Sequence, residues 1–66
     1  MRFKHKIVLD FKDSGELLAF VKTFNWCQAN IGIFKFEWDW VFGPNGTFEF
    51  QFLTPESASA FALRWV

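Results

Sequence analysis

The chain has 66 residues, 52% of them hydrophobic and 23% aromatic, with 11 Phe, 4 Trp and no Tyr. Lys plus Arg and Asp plus Glu both number 7, so the formal net charge is zero. That balance argues against a nucleic-acid binder, which takes most of its non-specific affinity from basic side chains, and it removes the repulsion that keeps small proteins apart.

Residues 1–66 form a single domain near the lower size limit for one unaided core. Each large aromatic contributes roughly 150–250 Å² of burial, so a few bulky rings fill a small interior. A lone cysteine, Cys27, forms no internal disulfide and points to a reducing compartment. Met1-Arg2-Phe3-Lys4-His5-Lys6 carries charge with no long apolar run behind it, so no signal peptide is expected. No stretch approaches the roughly 18 apolar residues of a membrane span. A soluble, cytoplasmic protein is the expectation.

Residues 2–12 alternate as a first strand. Phe3, His5, Ile7, Leu9 and Phe11 face one way, and Arg2, Lys4, Lys6, Val8, Asp10 and Lys12 the other. Asp13 or Ser14 is the expected cap of a helix over 14–28, with Glu16 three residues after Asp13 completing a capping box. Leu17, Phe20, Val21, Phe24 and Cys27 or Gln28 recur at helical spacing and predict its buried stripe. Asn30 and Gly32 are suitable stop residues.

Residues 33–42 read as a second strand, with Phe34, Phe36, Trp38, Trp40 and Phe42 on one parity, and 47–53 as a third, with Phe48, Phe50 and Phe52. A two-residue loop, Pro44-Asn45, would set Trp40 opposite Glu49. A three-residue loop, Pro44-Asn45-Gly46, pairs Phe42 with Phe48, Trp40 with Phe50 and Trp38 with Phe52. The second register is the expected one, because a slip of one residue would turn every aromatic of one strand outward. The expected loop is a type I turn followed by a left-handed Gly46. Thr54-Pro55-Glu56 opens a last helix with Thr54 as cap, and Ala58, Phe61, Ala62 and Trp65 line its inner stripe.

The order β-α-β-β-α and the single aromatic face predict an α+β fold. Two helices cover one side of a three-stranded antiparallel sheet of order 1-3-2. This arrangement resembles a ferredoxin-like split β-α-β fold without its fourth strand, which would have paired with strand one. An open edge on strand one follows.

The outer sheet face carries Lys4, Lys6, Lys35, Glu37, Asp39, Thr47, Glu49 and Gln51, and reads as a solvated surface with Lys–Glu cross-strand pairs. Related sheets that bind RNA expose aromatics there, whereas here the parity turns the central Phe residues toward the helices. Glu37 and Asp39 share that face, but a flat sheet offers no cleft to desolvate either as an acid or base. With one His and one Cys, no metal site or cofactor is expected. Cys27 reads as a small hydrophobe, His5 as a rim residue, and no phosphate loop or nucleophile elbow is present.

One resemblance lies in the last third of the chain. Phe48-Glu49-Phe50-Gln51-Phe52, then Thr54-Pro55-Glu56-Ser57-Ala58, then Phe61-Ala62-Leu63-Arg64-Trp65 resembles small uncharacterised proteins encoded by tailed bacteriophages. These are core and capping positions, so the resemblance implies a small accessory protein of an infected bacterial cell and carries over no activity. The expected role is a non-enzymatic interaction module. It would use the strand-one edge or the outer face to form a homodimer or to bind a host or phage protein, with Arg2, Phe3, Lys4, Lys6, Trp26 and Trp65 as the candidate contact residues. Phe3, Trp26 and Trp65 serve equally well as rim pieces of the core. The alternative is weak nucleic-acid binding through Arg2, Lys4, Lys6 and Lys35.

Overall fold

Alternation of large apolar and polar residues produces three strands, and 3.6-residue periodicity produces two helices, in the order expected. The computed structural model describes residues 3–12 and 15–66. Its elements are β1 (His5–Leu9), α1 (Glu16–Asn30), β2 (Trp38–Phe42), β3 (Phe48–Phe52) and α2 (Pro55–Trp65). The sheet is antiparallel throughout, in the order β1-β3-β2. This is the α+β arrangement of a truncated ferredoxin-like fold.

The aromatic parity sets the register. Phe42 lies opposite Phe48, Trp40 opposite Phe50 and Trp38 opposite Phe52. On the other side of β3, Leu9, Ile7 and His5 face Phe48, Phe50 and Phe52. All these side chains share one sheet face, so the three Phe of β3 become the floor of the core. Trp38, Phe50, Phe52 and Phe61 are fully buried there, beside Cys27. The rings meet at tilted and edge-on angles, as between Phe24 and Trp38 (centroids 5.0 Å, 71°) and Phe20 and Trp40 (4.6 Å, 63°).

The loop has the expected length but a different turn. Asn45 and Gly46 both have positive φ, 58° and 76°, and Thr47 N–H donates to the Pro44 carbonyl (3.2 Å). Two successive left-handed residues make this a type I′ turn rather than type I plus a left-handed glycine. Its twist matches that of the strands it joins, and Asn-Gly is the pair that accepts it most readily.

Two further expectations are corrected. The second strand does not run from 33 to 42. Lys35 takes φ 74°, its N–H donates to the Trp38 carbonyl (2.6 Å), and Ile33 O accepts from both Phe36 and Glu37 (3.0 Å each). This turn folds Phe34 back onto Phe24 and Trp38 (centroids 5.1 and 5.0 Å) and leaves Phe36 exposed. Trp38 is tied to the end of α1 as well, because its Nε1 donates to Gly32 O (3.0 Å). The buried stripe of α1 is also rotated from the expected one. Leu17 and Val21 are exposed, whereas Thr23 is fully buried and satisfies its hydroxyl on the Ala19 carbonyl (2.8 Å). Gly15, left-handed at φ 72°, precedes the first turn of α1, and the expected caps Asp13 and Ser14 lie outside the described residues.

The start of α2 is as read from the sequence. Thr54 Oγ1 accepts from Ser57 N–H (3.2 Å), Pro55 is the first helical residue, and Phe61 is the buried anchor. Thr54→Ala is expected to cost about 1 kcal/mol, lowering the melting temperature by about 4–8 °C in a domain this small. Thermal denaturation followed by circular dichroism checks it, and an unchanged midpoint would show that the cap contributes nothing.

Candidate interaction surfaces

A three-stranded sheet has two edges, and the hydrogen-bond parity decides what each presents. Gly43 N–H donates to Thr47 O (2.8 Å) and Leu53 N–H to Glu37 O (3.1 Å). Odd-numbered residues of β2 and β3 therefore point their backbone groups at each other, and even-numbered residues of β3 point at β1. On β1 it follows that His5, Ile7 and Leu9 are bonded to β3. The N–H and C=O of Lys4, Lys6, Val8 and Asp10 turn away from the sheet. No backbone bond within the described residues takes those of Lys6 and Val8.

The β2 edge differs. Its outward groups belong to Trp38, Trp40 and Phe42. The Trp38 carbonyl is taken by Lys35 N–H (2.6 Å), and Trp40 N–H donates to the carboxylate of its own neighbour, Asp39 Oδ1 (2.7 Å). A turn and a carboxylate together blunt this edge. Asp39 is thus committed locally. The Glu37 carboxylate lies so close over Gly32 that a β-carbon there would collide with it. The two do not form a shared acid–base site.

On the outer face, Lys6 and Asp39 flank Gln51, and Val8 and Val41 flank Glu49. The register sets no lysine directly opposite a carboxylate, which corrects the expected Lys–Glu ladder. Gln51 is 8% exposed despite facing outward, and its amide Nε2 donates to Glu49 Oε2 (2.6 Å). The Gln51–Glu49 contact covers the middle of this face, while Lys6, Val8 and Val41 around it are exposed.

The candidate contact residues fall into two groups. Lys6 is exposed on β1 and Lys4 is exposed just before it, while Arg2 lies outside the described residues. Phe3 is 8% exposed and thus a core residue. Trp26 and Trp65 are half-buried against each other (6.3 Å, 83°), Trp26 also meets Phe61, and the Arg64 guanidinium lies 4.3 Å from the Trp65 ring centre. The Trp65 Nε1 is buried without an acceptor. Trp26 and Trp65 are thus rim pieces packed against the core. Lys35 sits beside β2, with the central strand between it and Lys4 and Lys6, so Lys35 does not share a patch with those two lysines.

The rings that are exposed are others. Phe36 and Phe42 are 61% and 72% accessible, and Leu17 is 77%. Leu17 and Phe42 rim an open groove of about 420 Å³ floored by Phe20, Trp40 and Phe48, with Glu16 as its polar member. Its walls are the first turns of α1 and the hairpin strands β2 and β3. Parity marked Phe42 as inward, and only the length of the covering helix shows that it is uncovered.

No cluster of three or more His, Cys, Asp or Glu is present among the described residues, and no helix is long and apolar enough to cross a membrane. No family model, curated protein or solved structure matches the chain.

Proposed function

We propose that this protein is a small non-enzymatic interaction module that works by strand pairing at the open edge of β1. Its setting would be the cytoplasm, in an accessory role of the kind implied by the phage-like C-terminal third. The observation that carries the reading is the contrast between the two edges. On β2 the Trp38 carbonyl and the Trp40 N–H are taken up by Lys35 and Asp39, whereas Lys6 and Val8 hold theirs toward solvent. An extended segment laid along β1 would recover those bonds and occupy the place of the fold's absent fourth strand.

The test is a titration of the protein with a synthetic peptide of its own residues 4–10, read by amide NMR shifts. The Lys6 and Val8 amides are expected to move together, with little change on β2. Lys6→Pro removes an outward N–H and no bond to β3, so it should abolish the response while the fold persists. Shifts confined to the groove at Leu17 and Phe42, or shifts unaffected by Lys6→Pro, would overturn the reading.

A further inference from the structure

We infer that the strand which completes the sheet is β1 of a second copy, antiparallel about Ile7. This rests on the strand-pairing reading above and adds the partner and the register. The partner follows from the edges. A strand that pairs with β1 must itself present a run of unused backbone groups, and β1 presents the longer one, because on β2 the Trp38 carbonyl and the Trp40 N–H are already bonded. Two β1 edges form an isologous, self-closing contact, and the zero net charge opposes it little.

Charge then selects the register. The outward backbone groups belong to even-numbered residues, so an antiparallel pair can centre on Lys6, Ile7 or Val8. Centring on Lys6 sets two lysines directly opposite each other, which is destabilising. Centring on Val8 sets Lys4 against Lys12 and reaches the turn where Lys12 N–H is bonded to Asp10 Oδ1 (3.0 Å). Centring on Ile7 overlaps the whole strand His5–Leu9. Lys6 then lies opposite Val8 and Lys4 opposite Asp10, each twice, and no like charges meet within residues 4–10. Helix α2 packs on β1, so the two copies of α2 would approach across the new seam, and they carry the most exposed apolar residues, Leu63 and Val66.

Disulfide trapping reads the register directly. Lys6→Cys and Val8→Cys variants of different isotopic mass are mixed under mild oxidation. Residues opposed in a hydrogen-bonded antiparallel pair have Cα atoms about 5.5 Å apart, within disulfide reach. Cys27 does not compete, because it is fully buried and its thiol is pushed up to about 12. The expected product is the mixed disulfide, seen only when both variants are present. A homodisulfide of either variant would show another register and overturn the inference. So would a wild type that light scattering finds at its monomer mass of 7.8 kDa across about a hundredfold in concentration.

Charge reversal supplies a second readout. Lys4→Glu faces Asp10 in both halves of the pair and should raise the dissociation constant about tenfold, while adding Asp10→Lys should restore it. A double variant as weak as the single one would overturn the register. If the peptide of residues 4–10 moves the Lys6 and Val8 amides while the whole chain stays monomeric, the second copy is excluded and strand pairing stands. If the peptide leaves them unmoved and the chain is monomeric, strand pairing itself fails.

Discussion

Replacing Phe50 by alanine is expected to remove most or all of the protein's stability. Phe50 is at the middle of the central strand and fully buried, with its ring centre 5.0 Å from that of Phe61, 6.1 Å from Phe20 and 6.3 Å from Trp38. From the central strand it therefore meets both helices, through Phe20 of α1 and Phe61 of α2. Truncating a buried Phe costs about 3–5 kcal/mol, the lost transfer energy plus the cavity left behind. A domain of this length has roughly 3–10 kcal/mol in total. The neighbouring rings are too stiff to collapse into the space, which puts this site toward the upper end. Phe42→Ala, on the same face but 72% exposed, is expected to cost under about 1 kcal/mol. Urea unfolding followed by tryptophan fluorescence compares them. Equal losses at the two sites would mean that the hairpin end is as much core as the sheet centre.

The difference between Phe50 and Phe42 also marks where the sequence stops being legible. Both lie on the inward parity, so alternation alone treats them alike. Parity is a property of the strand, and it fixed the register because only one pairing kept every aromatic on one side. Coverage is a property of the helix above, and that depends on where α1 begins. The same limit explains Leu17, placed on the buried stripe by its spacing but exposed on the first turn of α1. Thr23 failed in the opposite direction. Its hydroxyl reads as polar, yet within a helix it can bond the carbonyl four residues back and enter the core with no unsatisfied group.

The stretch from Phe34 to Phe36 shows a second limit. Its alternation is perfect, and a period of two cannot see that Lys35 adopts φ 74° and reverses the chain. Lysine has no special preference for that conformation, so no local signal announced the turn; it is held by Trp38, whose indole and carbonyl are both bonded to the preceding segment. The two sheet edges were partly legible. The chain order and parity placed Lys4 and Lys6 on an open edge. That the other edge is blunted depends in part on Asp39 bonding the amide next to it, and such a contact is visible only in three dimensions.

Cys27 should make the protein's stability fall steeply in alkali. The thiol is fully buried on α1 among the rings of the core, and burial pushes its pKa from an ordinary 9.0 to about 12. Below pH 9 the folded and unfolded chains both keep the proton, and this group adds no pH dependence. Between 9 and 12 the unfolded chain releases the proton while the native state retains it. Raising the pH then favours unfolding, with a loss of up to about 4 kcal/mol by the upper end of the window. Lysines titrate in the same range, so the informative quantity is the difference between wild type and Cys27→Ala. The variant loses a small packed volume, a cost of about 1 kcal/mol that does not change with pH. Wild type should be the more stable protein at pH 8 and lose that advantage as the pH approaches 11. Parallel profiles of urea midpoint against pH would mean that the thiol ionises without hindrance and that this part of the core admits water. Labelling with iodoacetamide at pH 8 gives an independent view. A thiol sealed under Phe61, Trp38 and Phe50 can react only through opening of the structure, so its rate should follow global stability and rise sharply in Phe50→Ala.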